Sequence, residues 1–262
     1  MRCFAMRVFM KLQIIYQKEC FEPSTPDYYN GWLDEIAAMK ALGLCVSDTP
    51  HPNADKLLYR SYIISNKAEF PDDPRYISRW RDYRVMSDMS IYLPLIEDIT
   101  IPSFIVPELN NDSVEAIVRR GWDRAFVRSS MKSLKYMFPE SNTDLELPVW
   151  PEVSIDKLAS AYGHRITTMP PPYIIRQFMP EKVFLKEERF WILNHHAYHR
   201  SGYIPEVVQE AVNRLRPLQS PYYVIDATPD IVVEVNPGVS SDSYAQNIPH
   251  FFPKWIQHEF CE

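Results

Sequence analysis

Glycine is scarce in this chain: six residues against 23 prolines in a length of 262. Phosphate loops of the Walker and dinucleotide types need several glycines in one short stretch, so both are excluded. A bound nucleotide would need side chains to hold its phosphates. Abundant proline implies many fixed turns and short elements. The four cysteines, Cys3, Cys20, Cys45 and Cys261, lie far apart and form no CxxC pair. Neither a zinc knuckle nor a disulfide framework is indicated, and a reducing cytosol is the simple inference. No apolar run reaches the roughly 18 residues that span a bilayer. Arg2, Arg7 and Lys11 precede no uninterrupted apolar stretch or small-residue cleavage site, so a cytoplasmic protein without membrane contact is expected. Positive charge is not in excess either: 28 Lys and Arg stand against 34 Asp and Glu, a net charge of -6. That balance argues against a general nucleic-acid binder, while local basic patches stay compatible with it.

What is present is an ordinary globular composition, 46% hydrophobic and 24% charged, enough for one large domain or two small ones. RVFMKLQIIY, residues 7–16, reads as a first strand. A helix over residues 29–43 follows, with Trp32, Ile36 and Met39 on one face and Gly43 as its stop. LLYRSYII (57–64) and IPSFIVPE read as further strands, and 66–84 as loop with some helix. Strand, helix, strand begins an α/β layer. A second block starts near Leu109. There Asp112 is expected to cap a helix with Glu115 completing a capping box, ending at Gly121. AFVRSS is a strand, residues 139–153 a loop, and Ile155 to Tyr162 a helix. YIIRQFM and ERFWILN are strands, the latter turning over at Asn194-His195-His196. Pro205 opens a helix with Val207, Val208, Ala211, Val212 and Leu215 on one side.

The last hairpin, IDATPDIVVEVNPG (225–238), breaks its own apolar pattern. Alternation places Glu234 and Asn236 on one face and Val233 and Val235 on the other. A turn at Thr228-Pro229-Asp230 folds Asp226 back toward the polar face. Two buried carboxylates resist joint ionisation without a cation, and an all-oxygen set suits Mg²⁺. The alternative is an exposed edge strand whose polar side chains face water.

Read together, LLYRSY around Arg60, AFVRSSMKS around Arg128, KEERFWIL around Glu188 and Arg189, RSGY ending at Tyr203, and VID…VVEVNPG resemble the ATP-grasp carboxylate–amine ligases, and most of all their R2K clade. The resemblance covers about residues 55–250. It implies an α+β ATP-grasp fold: residues 1–108 form a small N-terminal α/β domain, and 109–262 the ATP-grasp domain, with ATP clasped between two subdomains. Asp226, Glu234 and Asn236 would coordinate Mg²⁺. Gln177, Phe178 and Met179 would offer backbone groups and walls to adenine, with Glu188 near the ribose or the metal. Arg128 and Lys132 would hold phosphates. The family's strand carries Lys where this chain has Arg128, and a guanidinium is not a point charge, so Lys132 or Lys135 is the candidate ammonium. Arg60, Arg189 and Arg200 would grip the acid substrate or the transferring phosphoryl group; surface or interdomain ion pairing is the competing role, for Arg60 and Arg200 above all.

The implied chemistry is phosphorylation of a carboxylate to an acyl phosphate that an amine attacks, with an amino acid or peptide as substrate. A catalytically silent nucleotide-binding or interaction protein that keeps the fold is the other reading. In NHHAYHR, His195 and His199 have i, i+4 spacing, yet the flanks read as a hairpin tip rather than a zinc-binding helix. Ser129 and Ser130 lack a diagnostic base for a nucleophile's role.

Overall fold

The computed structural model describes residues 12–21, 30–61, 64, 66–122, 124–131, 145–148, 171–180, 183–241, 248–250 and 252–254. The helix expected at Ile155 to Tyr162 and the proposed phosphate residue Lys132 lie outside them. Among the described residues no helix is long and apolar enough to cross a membrane.

Strand β1 (Leu12–Tyr16) is buried along its whole length. That is what an unbroken apolar run demands, and it lies at the centre of a parallel sheet. β2 (Cys45–Ser47) and β3 (Lys56–Arg60) flank it in the order β2-β1-β3. Between β1 and β2, α1 (Asn30–Ala41) buries Trp32, Ile36 and Met39, the three residues that the helical period puts on one face. Gly43, at φ 77°, ends it: Gly43 N donates to Lys40 O and Leu44 N to Met39 O, the paired bonds of a Schellman motif.

Two short helices follow, α2 (Trp80–Ser87) and α3 (Met89–Ile96). Asp88 separates them and caps the second, accepting from Ser90 N at 3.1 Å. Then come β4 (Ser103–Val106), α4 (Asn111–Arg119), β5 (Arg124–Ser129), β6 (Leu145–Pro148) and β7 (Tyr173–Gln177). The strands form an antiparallel sheet in the order β4-β7-β5-β6. The expected loop at 139–153 is overridden at β6, which pairs with β5 from Leu145 to Pro148; a strand at a sheet edge tolerates the proline that made this stretch read as loop. The cap of α4 also differs: Asn110, not Asp112, accepts from Ser113 N at 3.1 Å, and Ser113 rather than Glu115 completes the box.

The third sheet, β11-β10-β8-β9, is antiparallel. It contains β8 (Glu188–Leu193), β9 (His196–Tyr198), β10 (Tyr222–Ala227) and β11 (Val232–Pro237), with α5 (Glu206–Leu215) between β9 and β10. Alternation divides its faces. Trp191, Leu193, Tyr222 and Val224 join the core of the N-terminal sheet. Phe190, Ile192, Tyr223 and Ile225 pack with α3 and α5. Across the expected boundary at 108/109, α3 shares its core with α5, and β4 pairs with β7 from Ser103 to Val106.

Candidate active site

The turn at Thr228 forms as its residues require, with Thr228 N donating to Ile231 O and the Thr228 hydroxyl accepting from Asp230 N and Ile231 N. It sets the register in which Asp226 lies directly opposite Glu234 on β11 and, on its other side, opposite Arg189 on β8. Asn236 is two residues on from Glu234, and its Nδ2 donates to Asp226 Oδ2 at 3.2 Å and to Glu234 Oε2 at 3.0 Å. Asp226 is 5% exposed. The wall read from alternation is thus assembled by one amide bridging two carboxylates.

Each carboxylate has a guanidinium partner. Arg189 grips Asp226 bidentately, Nε to Oδ1 at 2.7 Å and Nη2 to Oδ2 at 2.9 Å. Arg128, reaching across from β5, places Nη1 3.1 Å from Glu234 Oε1. A row runs through the site in the order guanidinium, carboxylate, carboxylate, guanidinium, so the two acids are held together against their mutual repulsion. Tyr92 on α3 lies beneath and donates to Val235 O. Burial, reinforced by Glu234, pushes its phenol well above the ordinary range.

Beside Glu234 opens a pocket of about 310 Å³. Period two puts Ala125 and Val127 in the core under α4 and turns Phe126 and Arg128 into the pocket. Arg176 on β7 stands opposite Phe126, lines the same space and donates from Nη2 to Val233 O at 2.8 Å. Gln177, Phe184, Glu187 and Ile101 complete most of the wall. Arg176, Phe126 and Glu187 are absent from the sequence-based set. An arginine within the apolar YIIRQ run, on the strand paired to that of Arg128, was the readable signal for the first.

The adenine trio is only partly gathered. Gln177 lines the pocket, but its N–H is given to Pro102 O and that of Phe178 to Arg124 O. Phe178 packs on Phe126 at 5.2 Å under the Arg124 guanidinium, and neither it nor Met179 lines the pocket. Glu188 also stands apart, beside His199 and Arg200 at 3.7 and 3.8 Å. Arg200 is more than half exposed.

Arg60 pairs with Glu35 on α1, within the same N-terminal block rather than at the surface or between domains. It is fully buried and all of its N–H groups are used: Glu35 takes Nε and Nη2, the Tyr222 hydroxyl and Gly238 O take Nη1, and Ser241 O takes Nη2. The guanidinium is 4.7 Å from the Trp32 ring. Burial alone would depress its pKa, but Glu35 together with Tyr222 and Tyr16 holds it above the ordinary value. No donor remains for a substrate; instead Arg60 ties β3 to the turn that follows β11. The two histidines likewise serve the hairpin. His195 occupies the turn at φ 65°, and His199, buried beside Phe190, shares Nδ1 with the Ser201 hydroxyl at 2.8 Å.

No family model matches this sequence, and no curated protein matches it. Solved structures do resemble it in fold. D-alanine–D-alanine ligase from Bacillus anthracis superposes with a TM-score of 0.54 at 13% identity, covering 95% of this chain and 92% of that one. The D-cycloserine synthetase DcsG gives 0.55 at 15%, covering 90% and 97%. The ATP-grasp ligase PsnB gives 0.52 at 10%, covering 91% of each chain, when solved with precursor peptide PsnA2 and AMPPNP. With minimal precursor, Mg and ADP, PsnB gives 0.50 at 11%, covering 88% and 90%. The chain has the α+β ATP-grasp fold, and the structures it resembles are those of ATP-grasp ligases.

Proposed function

We propose that the chain is an ATP-dependent ligase of the ATP-grasp type, with the R2K clade as the branch it most resembles. It activates a carboxylate as an acyl phosphate and joins it to an amine of an amino acid or peptide, in the cytoplasm. The observation that carries this reading is the cluster of Asp226, Glu234 and Asn236, whose Glu234 lines the pocket together with Arg128 and Arg176.

The donor set fits Mg²⁺. The Asn236 amide marks where oxygens of the two carboxylates converge, and a half-turn of that amide would present its own oxygen. When bound, Mg²⁺ would neutralise phosphate charge during transfer. Arg189 orients Asp226 by its bidentate grip. Arg128, beside Glu234, and Lys132 would hold the phosphates. Adenine would occupy the pocket between Gln177 and Phe126, near Phe178 and Met179. Arg200, exposed beside Glu188, is the remaining candidate for the acid substrate. Phosphoryl transfer needs chiefly positioning and charge neutralisation, so such a set suffices.

One observation favours a silent nucleotide-binding protein instead: both carboxylates already have guanidinium partners. ADP release with pooled amino acids, run beside calorimetry of Mg-ATP binding, separates the two. Acceptor-dependent ADP supports the ligase, and binding without turnover supports the silent form.

A further inference from the structure

The guanidinium partners of the two acids stand differently in the fold. Arg189 and Asp226 belong to one sheet, on the neighbouring strands β8 and β10, and their bidentate contact crosses a single rung. Arg128 belongs to the other antiparallel sheet, and its bond to Glu234 Oε1 at 3.1 Å joins residues 106 positions apart. The Arg128 side chain is 7% exposed and that of Glu234 30%, so the guanidinium is shielded from water while the acid is partly open. A second bond, from Arg176 Nη2 to Val233 O, runs between the same two sheets one residue away. Both contacts are part of the pocket wall, since Arg128, Arg176, Val233 and Glu234 all line it.

Two carboxylates facing each other across a rung call for a cation. In the chain by itself Arg128 fills that place at Glu234. The same guanidinium is the group that a phosphate would need. Acid and base here satisfy one another, and each is thereby withheld from a ligand of its own.

We propose that the Arg128–Glu234 pair is a self-inhibiting latch between the sheets: it withholds the acid from a divalent cation and the guanidinium from phosphate, so the site admits a metal–nucleotide complex by exchange of partners and takes up neither component well alone. Glu234 passes from guanidinium to cation while Arg128 passes from carboxylate to phosphate. Breaking the pair for one ligand strands the other member in a poorly hydrated place, and the whole complex avoids that cost. The latch rests on the metal-and-nucleotide reading of the site and not on turnover.

The test is binding of Mn²⁺, which takes the same oxygen ligands as Mg²⁺ and is followed by the EPR signal of the free ion. Without nucleotide, the wild-type chain is expected to bind Mn²⁺ weakly. R128Q frees Glu234 and tightens that binding by about tenfold or more. R128Q/E234Q loses the gain. R176Q removes an equal charge from the same wall but leaves the latch closed, and it shifts the affinity by a much smaller factor. Should R128Q fail to melt cooperatively in urea, R128M, which keeps the packing of the stem, carries the test. The proposal is overturned if R128Q binds Mn²⁺ no more tightly than wild type, if R176Q matches it, or if the gain survives in R128Q/E234Q. The first of these results together with Mn-ATP binding by the wild type sinks the latch alone; no Mn²⁺ binding by any form, with or without ATP, takes the reading of the site with it.

Discussion

At the residue scale, the meeting of Asp226 and Glu234 across one rung of a hairpin sets the chemistry. Glu234→Gln keeps shape and removes charge. Under the ligase reading it lowers Mg²⁺-dependent ADP formation by about a hundredfold or more, while stability by urea titration moves by less than about 1 kcal/mol, since this side chain is partly exposed. Arg60→Met is the converse case. It strands Glu35 without a guanidinium in a fully buried place, and a loss of about 3 to 5 kcal/mol is expected in the same titration. A third prediction concerns pH. Burial, reinforced by Arg200 and opposed by Glu188, lowers the pKa of His199, and burial lowers that of His195. Their folded values lie below the unfolded one, so the unfolded chain binds more protons. Stability therefore falls as pH drops through about 6.5 toward the folded values, and His199→Gln flattens that slope in melts across pH. Which arginine borders a pocket was not legible in the sequence: Arg60 and Arg128 sit in similar strand contexts, and only the surroundings brought by folding tell them apart.

At the element scale, period was legible and end chemistry was not. The β10–β11 hairpin and α5 formed where alternation and helical spacing put them, because each buries one face. The helix N-terminus at Asn110 was misread because Asp112 and Asn110 are both good cap residues, and the buried Ser113 decided between them. Asn110→Ala should cost about 1 kcal/mol in thermal melts, whereas Asp112→Ala should cost far less. Helix α3 escaped notice for a different reason. MSIYLPLI is apolar on nearly every side, so it has little amphipathic signal, and Pro94 lies inside it. Its burial between α2, α5 and the third sheet outweighs the lost donor.

At the scale of the whole molecule, two antiparallel sheets meet at β11, with Arg128 and Arg176 reaching over from one to the other. The α+β class was readable from element order. The contact between sheets was not, since it joins residues more than 50 positions apart, Arg176 and Val233 among them. Bound Mg-ATP, if it fills the pocket between the sheets, raises the melting temperature in proportion to ligand excess, and R128E abolishes the rise.

The buried clasp of Arg60 has a practical corollary for anyone wishing to dissect this polypeptide. Because a single guanidinium joins β3, α1 and the segment just past Asn236, the β10–β11 hairpin is tied to the first sheet as well as to β8. A shortened version beginning after the first sheet would leave Gly238 O and Ser241 O, at the exit of the hairpin, without their donor.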